Sequence, residues 1–209
     1  MARYTGPSCR LCRREGTKLF LKGLRCNTEK CSFDRRKYAP GDHGQGFRKK
    51  VSDFGIHLRE KQKARRLYGV LEKQFRKYFQ IAEKKTGITG ENLLQILEMR
   101  LDNLVYRMGF APSRNAARQL ISHGHFIVGN RKVDIPSYIV KPGQEIMVAE
   151  KSRKLDMIQE AMEATTDLAK FEWFAVDKDS FKGTLINVPL RDQIPVEIDE
   201  RLIVEYYSK

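Results

Sequence analysis

Between residues 70 and 109, apolar side chains return every three or four positions, the period of a helix with one buried face. Leu71, Phe75, Tyr78, Phe79 and Ala82 mark one such stripe over residues 70–85. Leu93, Leu97, Leu101, Leu104, Val105 and Met108 mark a longer one, which Thr89 can cap and Gly109 can end. The helix expected ahead of them, from Ser52 or Asp53 to Tyr68, has a poor apolar stripe; Arg59, Lys63 and Arg66 instead share one face at i, i+4 and i+7. Ser113 opens a short helix with Ala116, Ala117, Leu120 and Ile121 as its apolar face, and Gly124 closes it. The period then changes. His125–Val128 and Arg131–Ile135 are β-rich runs joined by Gly129-Asn130, the signal of a two-residue hairpin, and Glu145–Ala149 reads as a further strand. Residues 153–169 return to helical spacing, with Leu155, Ile158 and Met162 on one side. The chain closes on strand-like runs at Trp173–Val176, Thr184–Val188 and Leu202–Tyr207. The first fifty residues show neither period and read as loop and turn: four of the nine residues from Tyr38 to Gly46 are Gly or Pro. Such a segment has too little apolar content to fold by burial and needs a metal, a partner or both.

Composition changes the picture in one respect. A chain of 209 residues with 41% hydrophobic content can build a core, but Lys and Arg outnumber Asp and Glu by 14. A balance of that size points to a polyanionic partner. The excess is graded: net +10 over residues 1–50, +5 over 51–100, +2 over 101–150 and −3 over 151–209. The N-terminal half is therefore the side expected to meet the polyanion. No apolar run exceeds four residues, so neither a membrane span nor a signal-peptide segment is expected, and the protein reads as soluble and intracellular.

The four cysteines crowd the start of the chain as Cys9-x2-Cys12 and Cys26-x4-Cys31. Four thiolates at these spacings can converge on a tetrahedral ion at about 2.3 Å per sulfur, and closed all-cysteine sites are structural. Structural zinc is the favoured occupant, with an iron–sulfur cluster the less favoured alternative and two disulfides or free thiols also open. A catalytic zinc is disfavoured because four cysteines leave no position for water. Arg10, Arg13, Arg14, Arg25 and Lys30 surround the ligands and should favour the thiolate while leaving a positive surface.

Catalytic signatures are missing. No phosphate-binding, dinucleotide-binding or nucleophile-elbow motif occurs in a credible context. His43 sits in the Gly-rich loop, where stacking on a base or bonding to a phosphate suits it better than acting as a base. His57, His123 and His125 read as helix-surface or helix-end residues. In the central stretch, Arg114 and Arg118 share a helix face, and Gln119, His123, Asn130, Arg131 and Lys132 can join them on one surface. A helix-plus-hairpin unit presenting guanidinium and amide groups suits phosphates and irregular RNA shape.

These residues also carry a resemblance. Arg100-Leu101-Asp102-Asn103-Leu104-Val105-Tyr106-Arg107-Met108-Gly109-Phe110, with Ser113-Arg114, Ala117-Arg118-Gln119-Leu120, His123-Gly124-His125 and Asn130-Arg131-Lys132-Val133-Asp134, resembles a small RNA-binding module shared by one ribosomal protein and several RNA-modifying enzymes. The remainder resembles the family of bacterial small-subunit ribosomal protein four, from Ala2 to Lys209. The residues that carry it are Arg3-Tyr4, Gly6-Pro7, the cysteine knuckle, Tyr38-x-Pro40-Gly41-x-His43-Gly44, Leu58-Arg59-Glu60-Lys61-Gln62-Lys63 and the ending Val204-Glu205-Tyr206-Tyr207-Ser208. The resemblance implies a primary binder of small-subunit rRNA that nucleates assembly at a multi-helix junction. It also implies small-subunit protein five as neighbour, a place by the mRNA path, and influence on decoding accuracy. It puts metal binding on Cys9, Cys12, Cys26 and Cys31. RNA contact falls on Arg3, Arg35, Arg36, Lys37, His43, Arg59, Lys63, Arg114 and Arg118, and Arg10, Arg13, Arg14 and Arg66 join them as neighbouring cations.

The expected architecture is thus α+β: a helical N-terminal domain with a metal knuckle, and a small helix-and-hairpin RNA-binding module inserted before a strand-rich C-terminal segment. Residues 1–45 form the knuckle and basic loop, 46–98 with 171–209 a discontinuous helical domain, and 99–170 the module. An RNA-modifying enzyme carrying the module would need catalytic domains for which about sixty residues after it, or ninety-eight before it, leave no room. A zinc-dependent DNA-binding regulator would place a recognition helix directly after its metal loop, where this chain has Gly and Pro. A free RNA-binding protein with the same module is the remaining alternative.

Overall fold

The computed structural model describes residues 3–46, 50–165 and 171–208. The outer residues of the expected resemblance (Ala2 and Lys209), Phe47–Lys49 of the expected helical domain and 166–170 at the end of the expected module lie outside them. The chain divides into two compact units, Met1–Leu93 with Val196–Lys209, and Leu94–Pro195.

In the first unit, α1 (Ser8–Glu15) is followed by a 3-10 turn (Gly23–Asn27) and the short α2 (Ser32–Arg35). The opening fifty residues are therefore more regular than their punctuation suggested. Their local apolar content is also sufficient for a small cluster: Cys12, Leu19 and Leu21 are buried, with Leu11, Phe33 and Leu67 packed against them. Then come α3 (Asp53–Leu67), capped by the Ser52 hydroxyl accepting from the Gly55 amide, and α4 (Glu72–Glu83). The α4 stripe buries Phe75, Tyr78, Phe79 and Ala82, while Leu71, expected in it, is exposed as the residue before the helix. The C-terminal run expected as a strand over Leu202–Tyr207 is instead helix α9 (Glu200–Tyr207), capped by Asp199. Its Ile, Val and Tyr have β propensity, but Leu202, Ile203, Tyr206 and Tyr207 recur with helical spacing, and tertiary contact overrides the propensity. Ile203 is fully buried, and the Tyr207 ring lies 4.5 Å from that of Phe79. His57 and Lys61 of α3 reach Glu205 and Glu72 at 3.0 and 2.6 Å.

The long helix expected to run from Thr89 to Gly109 is two helices, α5 (Thr89–Glu98) and α6 (Leu101–Arg107). Arg100 interrupts them in an extended conformation and forms an antiparallel bridge with Ile139. In the second unit, α6 and α7 (Arg114–Ser122, capped by Ser113) lead into a five-stranded antiparallel sheet of order β2-β1-β3-β5-β4. The strands are β1 (Phe126–Val128), β2 (Arg131–Lys132), β3 (Glu145–Val148), β4 (Phe174–Asp177) and β5 (Lys182–Leu185), with α8 (Asp156–Ala164) between β3 and β4. Gly129, at φ +60°, takes the first position of the two-residue hairpin turn, a conformation that favours glycine. Phe126, Val128, Ile146 and Val148 alternate into the core with Leu101, Leu104, Val105, Ala117, Ile121 and Trp173. Because β5 pairs with β3, residues 171–195, grouped by sequence with the helical domain, pack in this unit; only 196–209 return to the first.

Candidate nucleic-acid interface

The four cysteines come from three local pieces. Helix α1 places Cys9 and Cys12 three residues apart, the 3-10 turn delivers Cys26, and Cys31 stands immediately before α2. All four are free thiols; Cys12, Cys26 and Cys31 are buried and Cys9 half-buried. Burial pushes the Cys12 thiol up, against a hydrogen bond from the Leu19 backbone, and Cys26, Cys9 and Cys31 push it further. Burial likewise raises Cys26, although the Lys22 amide donates to its Sγ at 3.4 Å. At Cys12 and Cys26 the expected lowering by surrounding cations is thus outweighed: these two thiols leave water, which penalises the thiolate more than nearby charge favours it. Among the described residues, no group of three or more His, Cys, Asp or Glu side chains stands in a geometry that could hold a metal ion.

Around the knuckle the structure gathers four of the expected RNA-binding arginines. Arg10, Arg13, Arg35 and Arg36 line a recess of about 240 Å³ with Pro7, Cys9 and Ser32. Arg13 Nε donates to the Tyr38 carbonyl at 2.9 Å and its guanidinium lies over the Tyr38 ring, which folds the Gly-rich loop back toward α1. Arg3, Arg14, Lys37 and His43 are exposed nearby in sequence but do not line the recess.

The cationic face expected on α3 is engaged within the protein. Arg59 (3.3 Å) and Arg66 both bond to Glu15, whose side chain is 1% exposed, and Lys63 pairs with Glu60 at 3.1 Å. Burial raises the Glu15 carboxyl and lowers Arg66, each opposed by the other's charge. Spacing on α3 alone could not reveal this, because the partner is forty-four residues or more away; the lone Glu15 directly after Arg13-Arg14 was the available signal.

The same holds for α7. Arg114 and Arg118, expected to present their guanidinium groups outward, are each 9% exposed. Arg114 Nε donates to Asn103 Oδ1 at 2.8 Å and its guanidinium lies over the Tyr106 ring. Arg118 bonds to Asp102 at 3.2 Å, and Asp102 also takes the Arg100 guanidinium on both oxygens. Asn103 donates to Glu98, which is bound by Arg107 at 2.8 and 3.1 Å. A four-residue spacing puts two arginines on one helix face; only packing decides that this face turns inward. Gln119, His123, Asn130, Arg131 and Lys132 are exposed. Of these, His123 and Lys132 meet at one cleft, together with His125, Lys151 and Arg153, whose sequence positions carry no signal of such a site.

Residues 3–98 match the Ribosomal protein S4/S9 N-terminal domain, and residues 99–146 match the S4 domain. Over all 209 residues, and the full length of both chains, the protein is 59% identical to small ribosomal subunit protein uS4 of Geobacter sp. (strain M21). The corresponding proteins of Desulforamulus reducens and Natranaerobius thermophilus are 60% and 56% identical, again over the whole of both chains. With its own α+β fold, its arginine-lined recess and end-to-end identity of this size, the chain belongs to the uS4 family.

Proposed function

We propose that the protein is a structural, non-enzymatic constituent of the small ribosomal subunit that acts by binding its rRNA, in the bacterial cytoplasm. The observation that carries this reading is identity of 56–60% across the entire chain to relatives named as small-subunit proteins. The charge gradient supports it, as does the recess where Arg10, Arg13, Arg35 and Arg36 meet, which suits a phosphate backbone. Arg3, Arg14, Lys37, His43, Gln119, Asn130, Arg131 and Lys132 supply exposed contacts. Arg59, Lys63, Arg66, Arg114 and Arg118 serve first by setting the shape of the helices that carry the surface. The finer role is early binding that nucleates assembly, with small-subunit protein five as neighbour, mRNA close by and an effect on decoding accuracy.

The four cysteines hold structural zinc in this reading. The donor types suit it, four thiols of which three are buried, with a backbone N–H directed at Cys26 Sγ; among the described residues the side chains do not stand in ligating geometry, so binding would draw them together. When bound, zinc would supply a closed tetrahedral anchor for α1, the 3-10 turn and α2. Elemental analysis of anaerobically purified protein should find about one zinc per chain; iron with visible absorbance would assign a cluster instead, and neither would remove the metal.

Filter binding to small-subunit rRNA fragments and to duplex DNA tests the main claim. The expected result is tight binding to a folded RNA junction with a steep salt dependence, the log–log slope falling by roughly 0.7–0.9 for each phosphate neutralised. Equal affinity for both nucleic acids would overturn it.

A further inference from the structure

Strand register in the second unit leaves an amphipathic strip on the outer face of the sheet. Lys132 of β2 is opposite Ile127 of β1, and Ile127 is opposite Met147 of β3. Directly opposed residues project from the same face. The alternate positions, Phe126, Val128, Ile146 and Val148, fill the core, so Ile127 and Met147 remain half-buried on the other side beside a lysine. With Leu155 they form the apolar part of a cleft of about 620 Å³. Its rim carries His123, His125, Lys132, Lys151 and Arg153, against the one lining carboxylate of Glu150.

The rim is built rather than incidental. Gly124 sits where an added Cβ would lie 2.2 Å from Lys132 Cε and 2.7 Å from its Nζ, so the lysine end lies across bare backbone at the close of α7. His125 Nδ1 and the hydroxyl of buried Ser152 are 2.8 Å apart, which orients that ring. Arg153 Nε donates to the Val148 carbonyl at 3.5 Å and its guanidinium lies over the Phe181 ring. The side chains of Lys132 and Lys151 take part in no ion pair or hydrogen bond among the described residues, so their charges are available to a ligand.

We propose that this cleft takes one unpaired nucleotide of the bound RNA, its base laid on Ile127, Met147 and Leu155 and its flanking phosphates met by Lys132, Lys151 and Arg153. The proposal rests on the rRNA-binding reading and deepens it. An apolar floor under a cationic rim matches a splayed base with its sugar-phosphate, whereas a duplex offers no free base face. The volume lies within the roughly 300–1,000 Å³ of clefts that enclose small ligands.

The test uses the full-length protein and a small-subunit rRNA fragment carrying 4-thiouridine, irradiated and mapped by mass spectrometry. Adducts are expected on the peptides that contain Ile127, Met147 or Leu155. Lys132→Ala and Lys151→Ala, surface changes that leave thermal unfolding unaltered, should each weaken binding several-fold and flatten the log–log salt slope by roughly 0.7–0.9. If the wild-type protein binds the fragment while these variants bind equally well with an unchanged slope, or if every adduct lies outside the cleft, the cleft assignment is overturned and rRNA binding stands. If the wild-type protein fails to bind the fragment at all, the rRNA reading itself falls.

Discussion

Asp102 shows how a single carboxylate decides what its neighbouring arginines do. It is 4% exposed and engages both Arg100 and Arg118, so three charged groups leave water together. A buried ion pair adds little net stability, but removing one partner strands the others in a low-dielectric site. Asp102→Ala should therefore cost about 3–5 kcal/mol in urea unfolding, by the usual size of that effect. Glu72 is a partly exposed counterpart. Burial alone would raise its carboxyl, but the Lys61 hydrogen bond and charge, the Tyr207 hydroxyl and Arg65 together hold it below the ordinary value. A depressed carboxyl contributes stability that is present above its unfolded value of about 4.3 and is lost as pH falls through the folded one. The urea midpoint of the wild type should drop across that acid window, and Glu72→Gln should drop less. At this scale the sequence identifies which groups carry charge. It leaves their partners hidden, because Glu15 and Arg66 meet across fifty-one positions that no local spacing relates.

Elements were legible where period and caps agreed. Ser52 and Ser113 accept the expected N-terminal hydrogen bonds, and Gly129-Asn130 forms the expected two-residue turn between β1 and β2. Besides α1 and α2, which the punctuation of the first fifty residues hid, and β2, which stops at Lys132 short of the expected Ile135, two elements departed from strong local signals. The helix expected from Thr89 to Gly109 breaks at Arg100, because that residue's backbone is drawn into a bridge with Ile139; the apolar period carries on through the break and hides it. The C-terminal run forms α9 and not a strand, since Ile203, Tyr206 and Tyr207 gain more by packing on α3 and α4 than by pairing. Ile203 is fully buried, so Ile203→Ala should cost about 2–5 kcal/mol, read as a fall in thermal or urea stability of the first unit.

For the whole molecule, the charge gradient marked the N-terminal half as the side expected to meet a polyanion, and the cysteine spacing marked its first thirty-one residues as a metal site. Under the zinc reading, chelation should increase hydrogen exchange over residues 3–46 and leave residues 94–195 protected, because the second unit has its own hydrophobic core. Unchanged exchange in the knuckle would show that the Cys12, Leu19 and Leu21 cluster holds it without metal. What the sequence determined by itself is the class of elements, the basic character and the family, since periodicity, composition and contiguous motifs are properties of neighbouring residues. Only the tertiary structure decided which cations face inward, that residues 171–195 join the second unit's sheet, and that Lys132, Lys151 and Arg153 share a cleft with Ile127 and Met147. The reason is physical: strand pairing, burial and buried ion pairs join residues far apart in the chain, and their energies depend on which surfaces are removed from water together.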